Sequence, residues 1–359
     1  MLRLYHLGLV GVIMVRLPRL ENYELEGKRV IVRGDLDIPE GDFARLEKSK
    51  KTYDYLLEQK AKIIVIGHRG RPGGGVDAKL SLAPIAKNLQ STLGKPVSFV
   101  HDTTGGDAQT AVNNLNPGGI LMLENLRFDS RESFDPAQDA GAEEFSRRLA
   151  SFGGFYVNEC FSTSHRAHAS FVGIPKFLPH AAGIRFEKEV KKLGKVLNNP
   201  RKPVVVILGG AKEDKINYIE PFTKIADKIL VGGRLPEYIE SSKFKVQSSK
   251  LVVADLIPDK EDITVNSIEQ FEEEIRNTGT VVVSGPLGKF EDENHRQGTE
   301  RVFNAVVNSG AYKVAGGGDT EAAISDLSIV EGFDWISVGG GAMLEFFANG
   351  TLPGIEALG

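Results

Sequence analysis

The stretch Pro203-Val-Val-Val-Ile-Leu-Gly209-Gly210-Ala211-Lys212-Glu213-Asp214-Lys215-Ile216 decides how this chain is read. A short run of β-branched and aliphatic residues ends abruptly in two glycines and a lysine, and a helix-like pattern follows. This is the pattern of a buried parallel strand whose C-terminal end opens onto a helix N-terminus. In open α/β sheets ligands bind there, where free amides and about half a positive charge of helix dipole face an anion. A phosphate suits the place. The turn is neither a Gly-x-x-x-x-Gly-Lys-Ser/Thr loop nor a Gly-x-Gly-x-x-Gly fingerprint, so taken singly it reads equally as an ordinary tight βα turn.

Outward from this stretch the same rhythm recurs: strand-like runs separated by helix-length amphipathic segments, the pattern of an α/β fold with parallel sheets. In the first half the runs end in Arg33-Gly-Asp35-Leu-Asp37, Gly67-His68-Arg69-Gly70-Arg71, Glu124-Asn125-Leu-Arg127 and Asn158-Glu-Cys-Phe-Ser-Thr-Ser-His165-Arg166-Ala-His168. From residue 203 onward they end in glycine: Gly232-Gly233, Gly285-Pro286-Leu-Gly288, Gly316-Gly317-Gly318-Asp319-Thr320 and Gly339-Gly340-Gly341. Arginines form bidentate bonds to a small polyanion, whereas glycines let backbone approach the phosphates of a nucleotide. One half reads as an anionic-substrate half and the other as a nucleotide half. Between them Phe186, Val190, Leu193, Val196 and Leu197 recur at helical spacing, giving an amphipathic connecting helix over about 184–197, with Ala181-Ala182-Gly183 as a candidate hinge.

The length of 359 residues suits two domains, and the net charge of −4 gives no reason to propose nucleic-acid or membrane partners. A lone Cys160 excludes an intramolecular disulfide framework, fits a reducing, cytoplasmic compartment, and reads as a small buried residue. The apolar run before Met14 lacks an Ala-x-Ala cleavage site and is broken by His6 and Arg16. Met14 is expected to be the start, with Met1–Ile13 an upstream extension or a poorly ordered tail. No other stretch approaches about 18 uninterrupted apolar residues, so no membrane helix is expected.

With these residues in view, the sequence resembles the phosphoglycerate kinase family from about Leu20 to Leu358. The ordered motifs are Arg-Gly-Asp-Leu-Asp-Ile-Pro39, Gly-His-Arg-Gly-Arg-Pro72, Leu-Glu-Asn-Leu-Arg-Phe128, Ser-His-Arg-Ala-His-Ala-Ser170, Leu-Gly-Gly-Ala-Lys212, Gly-Pro-Leu-Gly-Lys-Phe-Glu291, Gly-Gly-Gly-Asp-Thr320 and Gly-Gly-Gly-Ala342. The resemblance implies two Rossmann-like three-layer domains with parallel sheets facing a central cleft. These would be 14–183 for phosphoglycerate and 184–344 for nucleotide, with a tail, 345–359, packing back on the first. It implies a cytoplasmic, monomeric phosphotransferase of glycolysis and gluconeogenesis. A phosphoryl group would pass between 1,3-bisphosphoglycerate and ADP, giving 3-phosphoglycerate and ATP, with magnesium as companion of the nucleotide and the two domains closing about a hinge.

Carried over residue by residue, the resemblance gives Asp35 and Asp37 the glycerate end of the substrate, and Arg45, His68, Arg71, Arg127 and Arg166 its anionic groups. Lys212 and Lys215 would hold nucleotide phosphates and the group in flight. Gly210, Gly288 and Gly316–Gly318 would line the nucleotide, Glu291 would accept the ribose hydroxyls, Asp319 would hold magnesium beside Thr320, and Gly340 and Gly341 would aim amides at the reacting group. Catalytic roles fall to Arg45, Lys212, Lys215, Gly340 and Gly341. Read without the resemblance, Asp319 and Thr320 are equally helix caps, Arg69 is a surface residue, and the His165–His168 pair lacks a third zinc ligand.

Some positions depart from the family pattern. Lys212 and Lys215 are three apart where the family has four, and Asp37, Ser162, Ser284 and Val338 stand for asparagine, glycine, asparagine and threonine. The Pro39–Arg45 segment is short. A non-catalytic nucleotide- or phosphoglycerate-binding homologue, and a kinase of another small carboxylate, are the alternatives these departures leave open.

Overall fold

A computed structural model describes residues 16–41, 43–241 and 248–359. The expectations for Met1–Ile13 and Met14 lie outside these residues, as does Asp42 of the short segment before Arg45. Two compact units divide the chain: one runs to Val190 and includes Thr351–Gly359, and the other is Lys191–Gly350. No helix among the described residues is long and apolar enough to cross a membrane.

In the first unit the chain runs β1 (Arg29–Arg33), α1 (Ala44–Glu58), β2 (Lys62–Ile66), α2 (Ala83–Leu93), β3 (Val97–Phe99), α3 (Gly106–Asn113), β4 (Ile120–Met122), α4 (Ala140–Ala150), β5 (Phe155–Asn158), β6 (His180–Ala182) and into α5 (Ile184–Asn198). Its six strands are all parallel in the order β3-β4-β2-β1-β5-β6. Val30, Val32, Ile63, Val65, Ile120 and Met122 pack with Leu46, Tyr53 and Leu56 of α1 and Ile85 and Leu89 of α2. The alternate residues Ile31, Ile64, Leu121 and Tyr156 are buried too. Successive side chains leave a strand on opposite faces, so burial of both sets means that both faces are covered, which is why these strands read as continuous apolar runs.

The second unit repeats the plan with β7 (Val204–Leu208), α6 (Ile219–Phe222), β8 (Lys228–Val231), α7 (Leu235–Ser241), β9 (Leu251–Val253), α8 (Val265–Arg276), β10 (Thr280–Ser284), α9 (Gln297–Asn308), β11 (Tyr312–Gly316), α10 (Gly318–Asp326), β12 (Trp335–Ser337) and α11 (Gly340–Asn349). The order is β12-β11-β10-β7-β8-β9, again all parallel. Val205, Ile207, Val281 and Val283 pack with Ile268, Phe271 and Ile275 of α8 and Val302, Phe303 and Val306 of α9.

Strand order reverses direction between β1 and β5 in one sheet and between β7 and β10 in the other, and the carboxyl ends of those pairs are where such sheets bind ligands. The division between units falls inside α5 rather than before it at Gly183, because the first turn of α5 is held by buried side chains of the first unit. Ala181 and Ala182, read as hinge, are instead the edge strand β6, paired with Val157 and Asn158. Helix α11 continues to Asn349, so the return segment starts at Thr351 rather than Glu345. It ends in α12 (Pro353–Glu356), where the Gly354 amide donates to Ser164 O at 2.9 Å.

Candidate functional site

In the first unit the loop after β1 turns Asp35 inward, and its Oδ1 accepts from Arg45 Nη1, in the first turn of α1, at 2.8 Å. The other carboxylate oxygen, Oδ2, is buried with no hydrogen-bond partner among the described residues. Asp35 raises the pKa of Arg45, more than its partial burial lowers it. Asp37 is exposed; its Oδ1 accepts the Gly70 amide at 2.8 Å and its Oδ2 lies 3.7 Å from His68 Nε2. Arg127 donates to Gly70 O at 2.8 Å, and burial followed by the nearby Arg33 lowers its pKa.

His68 is almost wholly buried, and burial followed by Arg33, Arg127, His168 and Arg45 keeps it well below its ordinary pKa. His168 is pushed to about 3 by burial and then by Arg127, Arg33 and Arg166. Two neutral imidazoles therefore stand among cations. Arg166 is exposed beside them, whereas Arg71 is exposed and makes no ion pair among the described residues. The structure thus brings Asp35, Asp37, Arg45, His68, Arg127 and Arg166 together and leaves Arg71 at the surface. Such a set accepts a small polyanion, with the free Asp35 oxygen available to a hydroxyl.

Arg33 was missed by sequence reasoning as a site residue. It is fully buried over the Phe171 ring, 4.3 Å from its centroid, and bonds to Ser170, Gly34 and His68. The signal was an arginine closing a fully buried strand, a place where a charge persists only if its donors are satisfied. Cys160 is buried, which pushes its thiol up to about 11 and makes it a packing residue.

In the second unit the tips of β7, β10, β11 and β12 meet. Gly209 N donates to Ser284 O at 2.9 Å and Gly210 N to Pro286 O at 2.7 Å. The amides of the Gly-Gly turn are thus committed to the β10 tip rather than free for phosphate. Their glycines serve close backbone approach: at Gly285 (φ +104°) a Cβ would overlap Gly209 O. Gly288 N is likewise taken, by Thr299 Oγ1 at 3.0 Å. Thr320 is buried, donating to Gly316 O at 3.0 Å and accepting the Gly285 amide at 2.8 Å, so it ties β11 to β10. Gly340 packs on Gly317 so closely that a Cβ would stand 2.6 Å from the Gly317 Cα. The first amides of α10 and α11 have no intrahelical partner, and no hydrogen bond to them is found among the described residues.

Lys215 reaches across this knot, donating to Gly209 O at 2.8 Å and Ser284 O at 3.1 Å, the two strand ends at the reversal point. Burial brings it down to about 8, against the pull of Asp319, with Lys212 adding repulsion. The missing residue between the lysines is absorbed by geometry: Glu213–Tyr218 is a 3₁₀-helix with Lys212 at its cap, and Lys215 N bonds Lys212 O at 3.2 Å. Lys212 itself is extended (φ −90°, ψ 114°), so the helix carries Lys215 and the cap carries Lys212. Lys212, Glu291 and Asp319 are exposed. Among the described residues no group of three or more His, Cys, Asp or Glu could hold a metal, so a cation here would take most of its ligands from what it accompanies.

A family model described as phosphoglycerate kinase matches residues 20–259 and 235–350. A phosphoglycerate kinase of Fervidobacterium nodosum is 36% identical over 395 aligned positions, covering 94% of this chain and 97% of its own. One of Herpetosiphon aurantiacus is 37% identical over 386, covering 92% and 96%. The crystal structure of phosphoglycerate kinase from Pyrococcus horikoshii OT3 superimposes with a TM-score of 0.79 at 27% identity, covering 95% of this chain and 98% of that one. The Coxiella burnetii structure gives 0.78 at 28%, with the same coverage. On motifs, paired parallel sheets and relatives spanning nearly its full length, the chain belongs to the phosphoglycerate kinase family.

Proposed function

We propose that this chain transfers a phosphoryl group reversibly between 1,3-bisphosphoglycerate and ADP, giving 3-phosphoglycerate and ATP. The first unit holds the phosphoglycerate and the second the nucleotide. The observation that carries the reading is the Asp35–Arg45 pair, in which one buried carboxylate oxygen is bonded to the guanidinium and the other has no partner. Asp35 Oδ2 accepts the glycerate hydroxyl, while Arg45, Arg127 and Arg166 receive carboxylate and phosphate oxygens.

Phosphoryl transfer asks little covalent help of a protein; it needs placement and neutralisation of spread charge. No general base is required, because the attacking carboxylate or ADP oxygen is already ionised. Lys212 and Lys215 neutralise nucleotide phosphates, Glu291 accepts ribose hydroxyls, and the open amides of Gly340 and Gly341 face the transferred group. Holding two anions in line contributes on the order of 7 to 11 kcal/mol, so the mechanism calls for hinged closure that brings both sites together and excludes water. A magnesium ion arriving with the nucleotide would supply further charge neutralisation, and Asp319, an exposed carboxylate in the first turn of α10, suits it as an oxygen ligand.

A coupled assay with ATP, magnesium and 3-phosphoglycerate tests the reading. Turnover that collapses in Lys212→Ala and Arg45→Ala is expected; nucleotide binding without turnover would make the chain a binding homologue, and turnover only with another carboxylate would move the substrate. Monomeric state and cytoplasmic location belong to the same proposal, and light scattering of the purified chain checks the first.

A further inference from the structure

We propose that Arg33 is a positioning residue that fixes His68 as a neutral imidazole with its proton on Nε2, so that toward Asp37 the ring can only donate. The inference deepens the phosphoglycerate reading of the first-unit site and rests on it for the identity of the acceptor.

The argument is one of forced directions. A guanidinium carries five N–H donors and no acceptor. Arg33, fully buried at the reversal point beside β5, sends Nη1–H to Gly34 O at 2.7 Å, Nε–H to Ser170 Oγ at 2.8 Å and Nη2–H to His68 Nδ1 at 2.6 Å. Because Ser170 Oγ receives from Arg33, its own proton goes to Glu132 Oε1, 2.6 Å away, and the Ser170 amide donates to Glu132 Oε2 at 3.0 Å. Glu132 is fully buried as well, with its Oε1 3.9 Å from Arg33 Nη2, so it balances the guanidinium charge inside the same cluster. The protons that link Glu132, Ser170, Arg33 and His68 therefore all run in one direction.

At the end of that chain Nδ1 must offer its lone pair. An Nδ1–H tautomer or an imidazolium would set N–H against N–H at 2.6 Å. The groups that face the ring from its neighbours agree: Arg33 from β1, Arg45 from α1, Arg127 after β4 and His168 after β5 all disfavour a cation there, and among the described residues Asp37 is the one carboxylate within 4 Å of Nε2. The Nε2–Asp37 Oδ2 separation of 3.7 Å is too long for a hydrogen bond, so the donor is open to a substrate oxygen. A histidine in a substrate pocket commonly brings a titrating charge. Here it brings a fixed dipole, and its contribution to anion binding does not change with pH in the physiological range.

The test combines a direct reading with substitutions. Long-range ¹⁵N–¹H NMR correlations of the wild-type ring are expected to show the Nε2–H tautomer throughout about pH 5 to 8; an Nδ1–H tautomer or an imidazolium at neutral pH would overturn the proposal. Among substitutions, His68→Gln places an amide nitrogen where Nε2 stands, and is expected to raise KM for 3-phosphoglycerate by no more than about tenfold with kcat little changed. His68→Asn can accept from Arg33 but leaves no donor at the outer position, and is expected to lose about a hundredfold in kcat/KM. The reverse ranking sinks the idea. Arg33→Lys, if it folds, should introduce a pH dependence into that KM which the wild type lacks; if it does not fold, the wild-type spectrum and the His68 pair still decide. Should the tautomer be as stated while 3-phosphoglycerate neither binds nor turns over, the functional reading falls and the Arg33 inference stands.

Discussion

Thr52 Oγ1 donates to Glu159 Oε1 at 2.9 Å and at the same time accepts the Ile184 amide at 2.8 Å, so two buried side chains hold the start of α5. Glu159 also accepts the amides of Arg185 at 3.2 Å and Phe186 at 3.4 Å, and a Cβ at Gly183 would collide with its Oε2. Thr52 lies on the same helix as Arg45, so the helix that carries the Asp35-paired arginine also anchors the one that leads into the second unit.

That anchor predicts a pH dependence of stability. Burial pushes the Glu159 carboxyl up to about 8 from its ordinary 4.5. Between those values the folded chain keeps a proton that the unfolded chain has lost. The contribution is therefore fully present below pH 4.5 and is lost as pH rises through about 8. Unfolding free energies from urea titrations across this window should fall in the wild type, by an amount on the order of a few kcal/mol, and stay flatter in Glu159→Gln. Parallel curves for the two proteins would refute the assignment.

Lys215 carries the opposite sign. Its pKa is lowered to about 8 against an ordinary 10.5, so above 8 the folded chain holds fewer protons than the unfolded one, and stability should rise between these values. Function moves the other way. Loss of the charge should weaken ADP binding as pH rises through about 8, a trend that Lys215→Arg flattens, and Lys215→Ala should lower kcat/KM by about a hundredfold or more. Calorimetric titration of ADP at several pH values checks the first part, and steady-state kinetics the second.

Gly340 and Gly341 separate packing from chemistry. A Cβ at Gly340 would meet the Gly317 Cα at 2.6 Å, whereas nothing lies within 4 Å of one at Gly341. Gly340→Ala should lower the melting temperature clearly, while Gly341→Ala should leave the unfolding free energy within about 1 kcal/mol of wild type. A fall in kcat for Gly341→Ala at unchanged stability would then report crowding of the transferred group. Equal melting temperatures for the two variants would contradict the packing described.

Arg45→Ala should leave Asp35 buried with both oxygens unpaired, costing about 1 to 3 kcal/mol of stability and weakening 3-phosphoglycerate binding. Asp35→Asn keeps the shape and should restore part of the stability in the double variant without restoring affinity. A double-mutant cycle measures the coupling, and additive effects would mean that the 2.8 Å contact contributes nothing.

Nine strands were legible as apolar runs, because strands buried on both faces leave long unbroken patterns such as Val204–Leu208 and Thr280–Ser284. The three not read from the chain, β3, β6 and β9, are all short edge strands, and β6 is only His-Ala-Ala. The 3₁₀ turn after Lys212 was also hidden, since a residue count shows that a position is missing but not which helix absorbs the loss.

By itself the sequence determined the α/β class, the two halves with arginine and glycine tips, and the family, because burial periodicity and ordered motifs are local properties of the chain. Only the tertiary structure decided which way each group faces. Arg33 turns into the core and commits three of its five donors there, Thr320 binds backbone, Gly209 and Gly210 give their amides to a neighbouring strand, and Asp35 keeps one oxygen free. The physical reason is that a buried polar group is defined by its partner, and these partners come from strands tens of residues away in the chain.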